Sequence, residues 1–204
     1  MTNSALDNIE YGMFVLASRQ GEKDNGCVIN VVSQVTDTPK RIAFTVNKKN
    51  FTHDMVLNTG EFTISILSEK TTMEVIEYFG FQSGHTIDKF AGYTDAQRAE
   101  NGIYYITGCS NAYITGKVFS KLDLGTHTLF LADVVEDKVL TDDNSLTYEY
   151  YHKNIKPKPK TDVKIGWVCK VCGYVYEGED IPADFICPWC KHGVDDFEKI
   201  EITK

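Results

Sequence analysis

Two Cys-x-x-Cys pairs, Cys169-Lys-Val-Cys172 and Cys187-Pro-Trp-Cys190, stand fourteen residues apart in the last part of this 204-residue chain. Each pair places two thiolates on one tight turn, with backbone N–H groups aimed at the sulfurs. Two such turns close a tetrahedral S₄ shell around a metal ion. No other feature limits the fold so strongly, because a segment this short folds around its metal. Spacing alone leaves zinc and iron both open. Trp167, Tyr174, Tyr176, Phe185, Trp189 and Phe197 crowd the motif, and a dry aromatic shell that restricts solvent and tunes a metal's potential favours iron. Of the six cysteines, Cys27 and Cys109 lie in strand-like apolar stretches and read as buried structural thiols.

Upstream of this unit lies Lys153-Asn-Ile-Lys-Pro-Lys-Pro-Lys-Thr-Asp-Val-Lys164. Lysine alternates with proline and there is little to bury, so the segment reads as a semi-rigid tether. The chain thus divides into residues 1–152, a linker 153–164 and a small domain 165–204. Net charge over these parts is −8, +4 and −4. An acidic body lacks the basic footprint of a phosphate-tracking protein, so no nucleic-acid partner is expected. No apolar run approaches the roughly 18–20 residues of a membrane span. The N-terminal Met-Thr-Asn-Ser-Ala-Leu has the pattern of no secretion signal, and a cytoplasmic location is expected.

In residues 1–152 the periodic segments read mostly as strands: Met13–Ser18, Val28–Val35, Ile42–Val46, Glu61–Leu67, Ile103–Ile106, Tyr113–Phe119 and Thr128–Val135. Helices are few. Thr71-Thr-Met-Glu74 has the form of a capping box, Thr52 stands where it would cap a helix over His53–Asn58, and Thr94-x-x-Gln97 would open a third that stops by Gly102. The fold expected is mainly β, a closed antiparallel barrel with few helices.

No Gly-x-Gly-x-x-Gly or phosphate-loop motif is present, which excludes a Rossmann or P-loop domain on sequence grounds. Three clusters carry possible chemistry. Asn30-Val-Val-Ser-Gln34 places polar groups in an apolar strand, read either as a water-facing edge or as a ligand contact. Asn47-Lys-Lys-Asn-Phe-Thr-His53 gathers cations and amides where a helix begins, a place that suits a phosphate as well as a solvated turn. His127 precedes an apolar run, where a lone histidine serves structure more often than chemistry.

Trp167-Val-Cys-Lys-Val-Cys-Gly-Tyr-Val-Tyr176, with Cys187-Pro-Trp-Cys-Lys-His-Gly-Val-Asp-Asp-Phe-Glu198, resembles rubredoxin, in the compact form attached to rubrerythrins. That resemblance implies one iron held by Cys169, Cys172, Cys187 and Cys190. The upstream clusters together resemble the flavin reductase-like FMN-binding split-barrel family. What this implies is FMN contacted along its ring by Asn30, Val31, Val32, Ser33 and Gln34, with Asn47, Lys48 and Thr52 at its phosphate. Ser83-Gly-His-Thr-Ile-Asp-Lys-Phe90 is similar to a further family segment, in which Lys89 is an anionic contact. His127-Thr-Leu-Phe130 is similar to the segment whose histidine approaches flavin and nicotinamide, although Thr126 and His85 replace the family's usual aspartate and arginine.

The fusion resembles the high-molecular-weight rubredoxins of anaerobic bacteria. The resemblance implies a homodimer that takes electrons from NADH and passes them through FMN and iron to a flavodiiron oxygen or nitric-oxide reductase. Two alternatives stay open: an electron carrier or free-flavin reductase without significant NADH oxidation, and a non-enzymatic zinc-ribbon interaction protein. The sequence also leaves open whether the small domain docks on its own barrel, on a dimer mate or on a partner.

Overall fold

The computed structural model describes residues 5–157 and 165–201. Strands β1 (Phe14–Gln20) and β2 (Lys23–Ile29) form a hairpin, followed by β3 (Val32–Thr36), β4 (Arg41–Asn47), helix α1 (Phe51–Thr59) and β5 (Glu61–Leu67). Helix α2 (Met73–Ile76) runs on into a π-helical turn, Glu77–Phe81. The short strands β6 (Ala96–Arg98) and β7 (Tyr104–Ile106) precede a long hairpin of β8 (Ser110–Asp123) and β9 (His127–Val139). Helix α3 (Tyr148–Tyr150) then continues as a second π-helical turn, Tyr151–Ile155.

Seven strands make one antiparallel sheet in the order β2-β1-β5-β8-β9-β4-β3. Its end strands, β2 and β3, are successive in the chain, and no ladder joins them among the described residues. The barrel is therefore split at Asn30 and Val31, where the Val31 carbonyl instead accepts from Thr45 N–H. The sequence reads Val28–Val35 as one strand because its apolar character is unbroken. The number of strands in the sheet still comes to seven, because Tyr104–Ile106, counted in the barrel from sequence, pairs only with β6.

Alternation on β1 explains the layering. Phe14 and Leu16 face the barrel interior with Phe44, Phe62, Ile64 and Phe130. Val15 and Ala17 face outward and pack with Phe79, Ile106 and Tyr151 beneath the helical turns. Both faces of β1 are thus buried, which is why it reads as a continuous apolar run. Phe44, Phe62 and Phe130 are fully buried, and each contributes on the order of 1.5–3 kcal/mol by leaving water.

The helical expectations need correction in detail. Residues 94–102 form no helix; Ala96–Arg98 is a strand folded back on β7, and Gly102 (φ 77°) makes the turn between them. Helix α1 is capped by Asn50, without a side-chain bond, and Thr52 lies inside it. The expected capping box does not form. Thr72 is the α2 cap, and the Thr71 hydroxyl donates to the Ser68 and Cys109 carbonyls instead. Among the described residues no helix is long and apolar enough to cross a membrane.

The start of the proposed linker is structured, since Lys153–Ile155 complete the second π-helical turn. Residues 158–164 lie outside the described residues. Beyond them, β10 (Ile165–Cys169), β11 (Val175–Glu177) and β12 (Phe197–Glu201) form a separate sheet in the order β11-β10-β12.

Candidate functional site

The four cysteine sulfurs lie within 4.8 Å of one another, with Cys169–Cys190 and Cys172–Cys187 each 3.5 Å apart. A tetrahedral S₄ shell with metal–sulfur bonds of about 2.3 Å has edges of roughly 3.8 Å, so the site is close to the size a metal needs. The two turns are built alike. Gly173 N–H donates to the Cys169 carbonyl and Lys191 N–H to the Cys187 carbonyl, at 2.8 and 2.9 Å. Both donors sit in the left-handed region, Gly173 at φ 81° and Lys191 at φ 62°. As thiols the four cysteines differ in how tightly they hold their protons: bonding from Cys172 and Cys190 holds Cys169 well below the usual thiol range. The Cys190 thiol is pushed up to about 12, chiefly by its bond to Cys169. A bound cation replaces those protons. Phe197, Phe185 and Tyr174 close the apolar shell.

The barrel carries a cavity of about 420 Å³, a size typical of a cofactor site. Its floor comes from β2 (Asn25, Cys27, Val28, Ile29) and Asn30, one wall from Asn47, Lys49 and the first turn of α1, and another from Phe81–Gly84. Asn25 is buried, and its Nδ2 donates to Thr52 Oγ1 at 2.9 Å. Its Oδ1 has no partner in the protein. Whichever way the amide is turned, one of its polar atoms is left without a partner in the protein. Gly84 packs so tightly here that a Cβ on it would overlap the Asn25 amide. The N-terminal turn of α1, at Asn50, Phe51 and Thr52, whose Asn50 cap makes no side-chain bond, lines the same space. Free N–H groups and the helix dipole there suit an anionic group. Cavity size, an orphaned amide atom and this helix end fit a phosphate-bearing flavin.

The structure sorts the residues singled out from sequence. Asn30, Asn47, Thr52, Lys89 and His127 line the cavity. Val31, Val32, Ser33, Gln34 and Lys48 are not among its lining residues. Ser33 and Gln34 are exposed on edge strand β3, and Lys48 Nζ pairs with Asp123 at 2.6 Å. Lys89 has a different role from a simple anionic contact. Its buried ammonium donates to the Gly26 and Phe79 carbonyls at 2.8 and 2.9 Å, tying β2 to the first π-helical turn. Burial, partly offset by Cys27, lowers its pKa to about 8.

His127 pairs with Asn47 across the β4–β9 ladder, and its Nδ1 meets Thr126 Oγ1 at 2.9 Å. The threonine hydroxyl thus stands where the family's carboxylate was missing. Burial pushes the imidazole below its usual 6.5, so it is neutral at pH 7. His85 packs its ring on Phe51, 4.8 Å between centroids, and Lys49 stands on the cavity wall. Lys49, Asn50, Ser83 and Gly84 also line the cavity and lie within the segments 47–53 and 83–90 singled out from sequence, whereas Asn25 lies outside all of them. The only sequence signal for Asn25 is polarity inside an otherwise strand-like segment.

The cavity has a further wall, made of Val171, Cys190, Lys191 and His192 from the tetracysteine unit. The two candidate centres therefore share one cavity.

A split antiparallel barrel with such a cavity, joined to a tetracysteine ribbon, defines a two-centre oxidoreductase class. Comparisons with known proteins agree. Residues 6–158 match the flavin reductase like domain, and residues 167–198 match the rubrerythrin, rubredoxin-like domain. The chain belongs to the flavin reductase-like family and carries a rubredoxin-like domain behind it. It is 32% identical to the high molecular weight rubredoxin of Moorella thermoacetica, over 98% of this chain and all of that protein. It is 37% identical to a ferric-chelate reductase (NAD(P)H) of Archaeoglobus fulgidus, over 79% of this chain and 95% of that one. In fold the barrel is similar to the NADH:FAD oxidoreductase SgcE6 of Streptomyces globisporus. The TM-score is 0.63 at 20% identity, covering 70% of this chain and 83% of that one.

Proposed function

We propose that the chain is an NADH-dependent flavo-rubredoxin oxidoreductase. FMN would occupy the barrel cavity and one iron the Cys169, Cys172, Cys187 and Cys190 site. The observation that carries this reading is the shared cavity, bounded by the α1 N-terminus on one side and Cys190 on another. Its domains are residues 1–152 and 165–204, joined by 153–164. FMN supplies the conversion of a two-electron hydride into single electrons. In balance, one NADH and two ferric equivalents give NAD⁺, one proton and two ferrous equivalents.

The chain's own residues bind and orient. Asn25, Lys49, Asn50 and Thr52 surround the place for the phosphate, with the α1 dipole aimed at it. Asn30 and Asn47 line the same cavity for the rest of the cofactor, with Lys89 bracing β2 beneath it. His127, with Nδ1 held by Thr126 and its pKa lowered by burial, would contact the flavin or nicotinamide and would not serve as a proton donor. Apolar Trp189, Tyr174 and Phe185 exclude water from the sulfurs.

The electron acceptor is a flavodiiron-type oxygen or nitric-oxide reductase, a reading that rests on the likeness to high-molecular-weight rubredoxins. A homodimer accords with the exposed apolar residues Leu122, Leu124, Val135 and Val139 along the β8–β9 hairpin. A cytoplasmic location accords with thiols kept reduced for metal binding. Flavin extraction and elemental analysis of purified protein test the reading. One FMN and one iron per chain are expected, and colourless protein holding one zinc and no flavin contradicts it.

A further inference from the structure

The tetracysteine unit touches the barrel at defined points. Phe81, at the end of the first π-helical turn, stacks on Trp189 with ring centroids 6.2 Å apart and planes 9° from parallel. That is an ordinary offset-stacked geometry. Among the described residues Phe81 is also the one hydrophobic barrel residue packed against the apolar shell of the sulfurs. On the other flank, Lys156 and the Pro157 carbonyl lie over Gly173, so close that a Cβ there would meet the Lys156 side chain at 2.9 Å. Between these points Cys190 lines the cavity together with Val171. Cys190 is also the one ligand of the four that is not fully buried; Cys169, Cys172 and Cys187 are.

We infer that the tetracysteine domain docks in cis on its own barrel, with Phe81–Trp189 as the anchoring contact and Cys190 as the sulfur through which electrons enter the metal. The inference deepens the proposed function and rests on it for the identity of donor and metal. Each transfer oxidises the reduced flavin by one electron and reduces one ferric ion to ferrous; the flavin's protons pass to solvent. Cys190 faces the cavity while Cys172 and Cys187 sit inside the apolar shell, so the sulfur nearest the donor is fixed by the fold. Lys156, beside the first turn, sets a positive charge next to a centre that gains negative charge on reduction, which favours the reduced state.

Two experiments on the full-length, FMN- and iron-loaded protein test this. In the first, a photo-reactive phenylalanine analogue replaces Phe81, and the captured peptide is identified after illumination. Capture of the Trp189 peptide within a single-chain band on a denaturing gel is expected. Capture only in a band of doubled mass, or none at Trp189, overturns docking in cis. In the second, Val171→Glu, in the spacer of the first cysteine turn, sets a charge on the docked face, and Phe81→Ser, on the cavity wall, removes the anchor. Bound flavin and iron are quantified in both variants. The rate at which chemically photoreduced flavin bleaches the iron absorbance is then followed. At least a tenfold slowing in both variants, with flavin and iron retained, is expected, and unchanged rates overturn the docked face as the path of the electrons. Absence of flavin or iron from the parent protein sinks the proposed function instead, while the cross-link still reports docking.

Discussion

Asn25 Nδ2 donates to Thr52 Oγ1 at 2.9 Å, joining the middle of β2 to the first turn of α1 across the floor of the cavity. Two elements distant in sequence are thereby tied together at the cavity floor, and the amide's other atom is buried without a partner in the protein. Asn25→Ala removes both functions. Flavin affinity is expected to fall by about 1 kcal/mol, roughly fivefold, as for loss of one buried hydrogen bond. Fluorescence titration of apoprotein with FMN measures it; Asn25→Asp, which sets a carboxylate against the phosphate, weakens binding further.

Lys89 spans the other side of the floor. Lys89→Met leaves the Gly26 and Phe79 carbonyls without their donor, at an expected cost of about 2–4 kcal/mol for two buried acceptors. Urea denaturation of the apoprotein reads this directly. Because burial lowers the Lys89 pKa to about 8 from 10.5, the unfolded chain binds more protons between those values. The wild type therefore gains stability with rising pH across that window, and the variant lacks this gain.

His127 and His152 both have pKa values below the usual 6.5, each chiefly through burial and, for His152, also through Lys156. Protonation is thus harder in the folded state. The unfolded state binds more protons from 6.5 downward, so stability falls as pH drops through and below 6.5. Thermal melts of the apoprotein between pH 7.5 and about 5 should show this fall, and His152→Gln should diminish it.

Lys191 occupies, at φ 62°, the position that Gly173 fills in the matching turn. A side chain in that region costs roughly 1 kcal/mol, part of which glycine's greater unfolded-state freedom offsets. Lys191→Gly is expected to stabilise the metal-loaded domain by about 0.5 kcal/mol. Slower metal loss to a chelator is the corresponding observation.

The cysteine turns were legible because everything that makes them is local: ligand, spacer, and a residue that can take a left-handed backbone. The barrel's strands were legible by alternation, and Glu61–Leu67 matches residue for residue. Residues 94–102 misled because a two-strand excursion of three residues each is too short to show a period, while Thr94 and Gln97 imitate a helix start. Lys89 misled because its partners, Gly26 and Phe79, come from two other elements that only the fold brings together. Ser33 and Gln34 belong to an edge strand, and nothing local distinguishes an edge that faces water from one that faces a ligand. Contact between Phe81 and Trp189 lies beyond any local pattern, since they stand on either side of the lysine–proline tether, more than a hundred residues apart.

An anaerobic titration with NADH, followed by absorbance, tests the two-centre relay most directly. Two electrons for FMN and one for iron place the end point at about 1.5 NADH per chain, with both the flavin and the sulfur-to-iron absorbance bleached. A flavin fully reduced at about one equivalent, beside metal absorbance that never changes, contradicts the account.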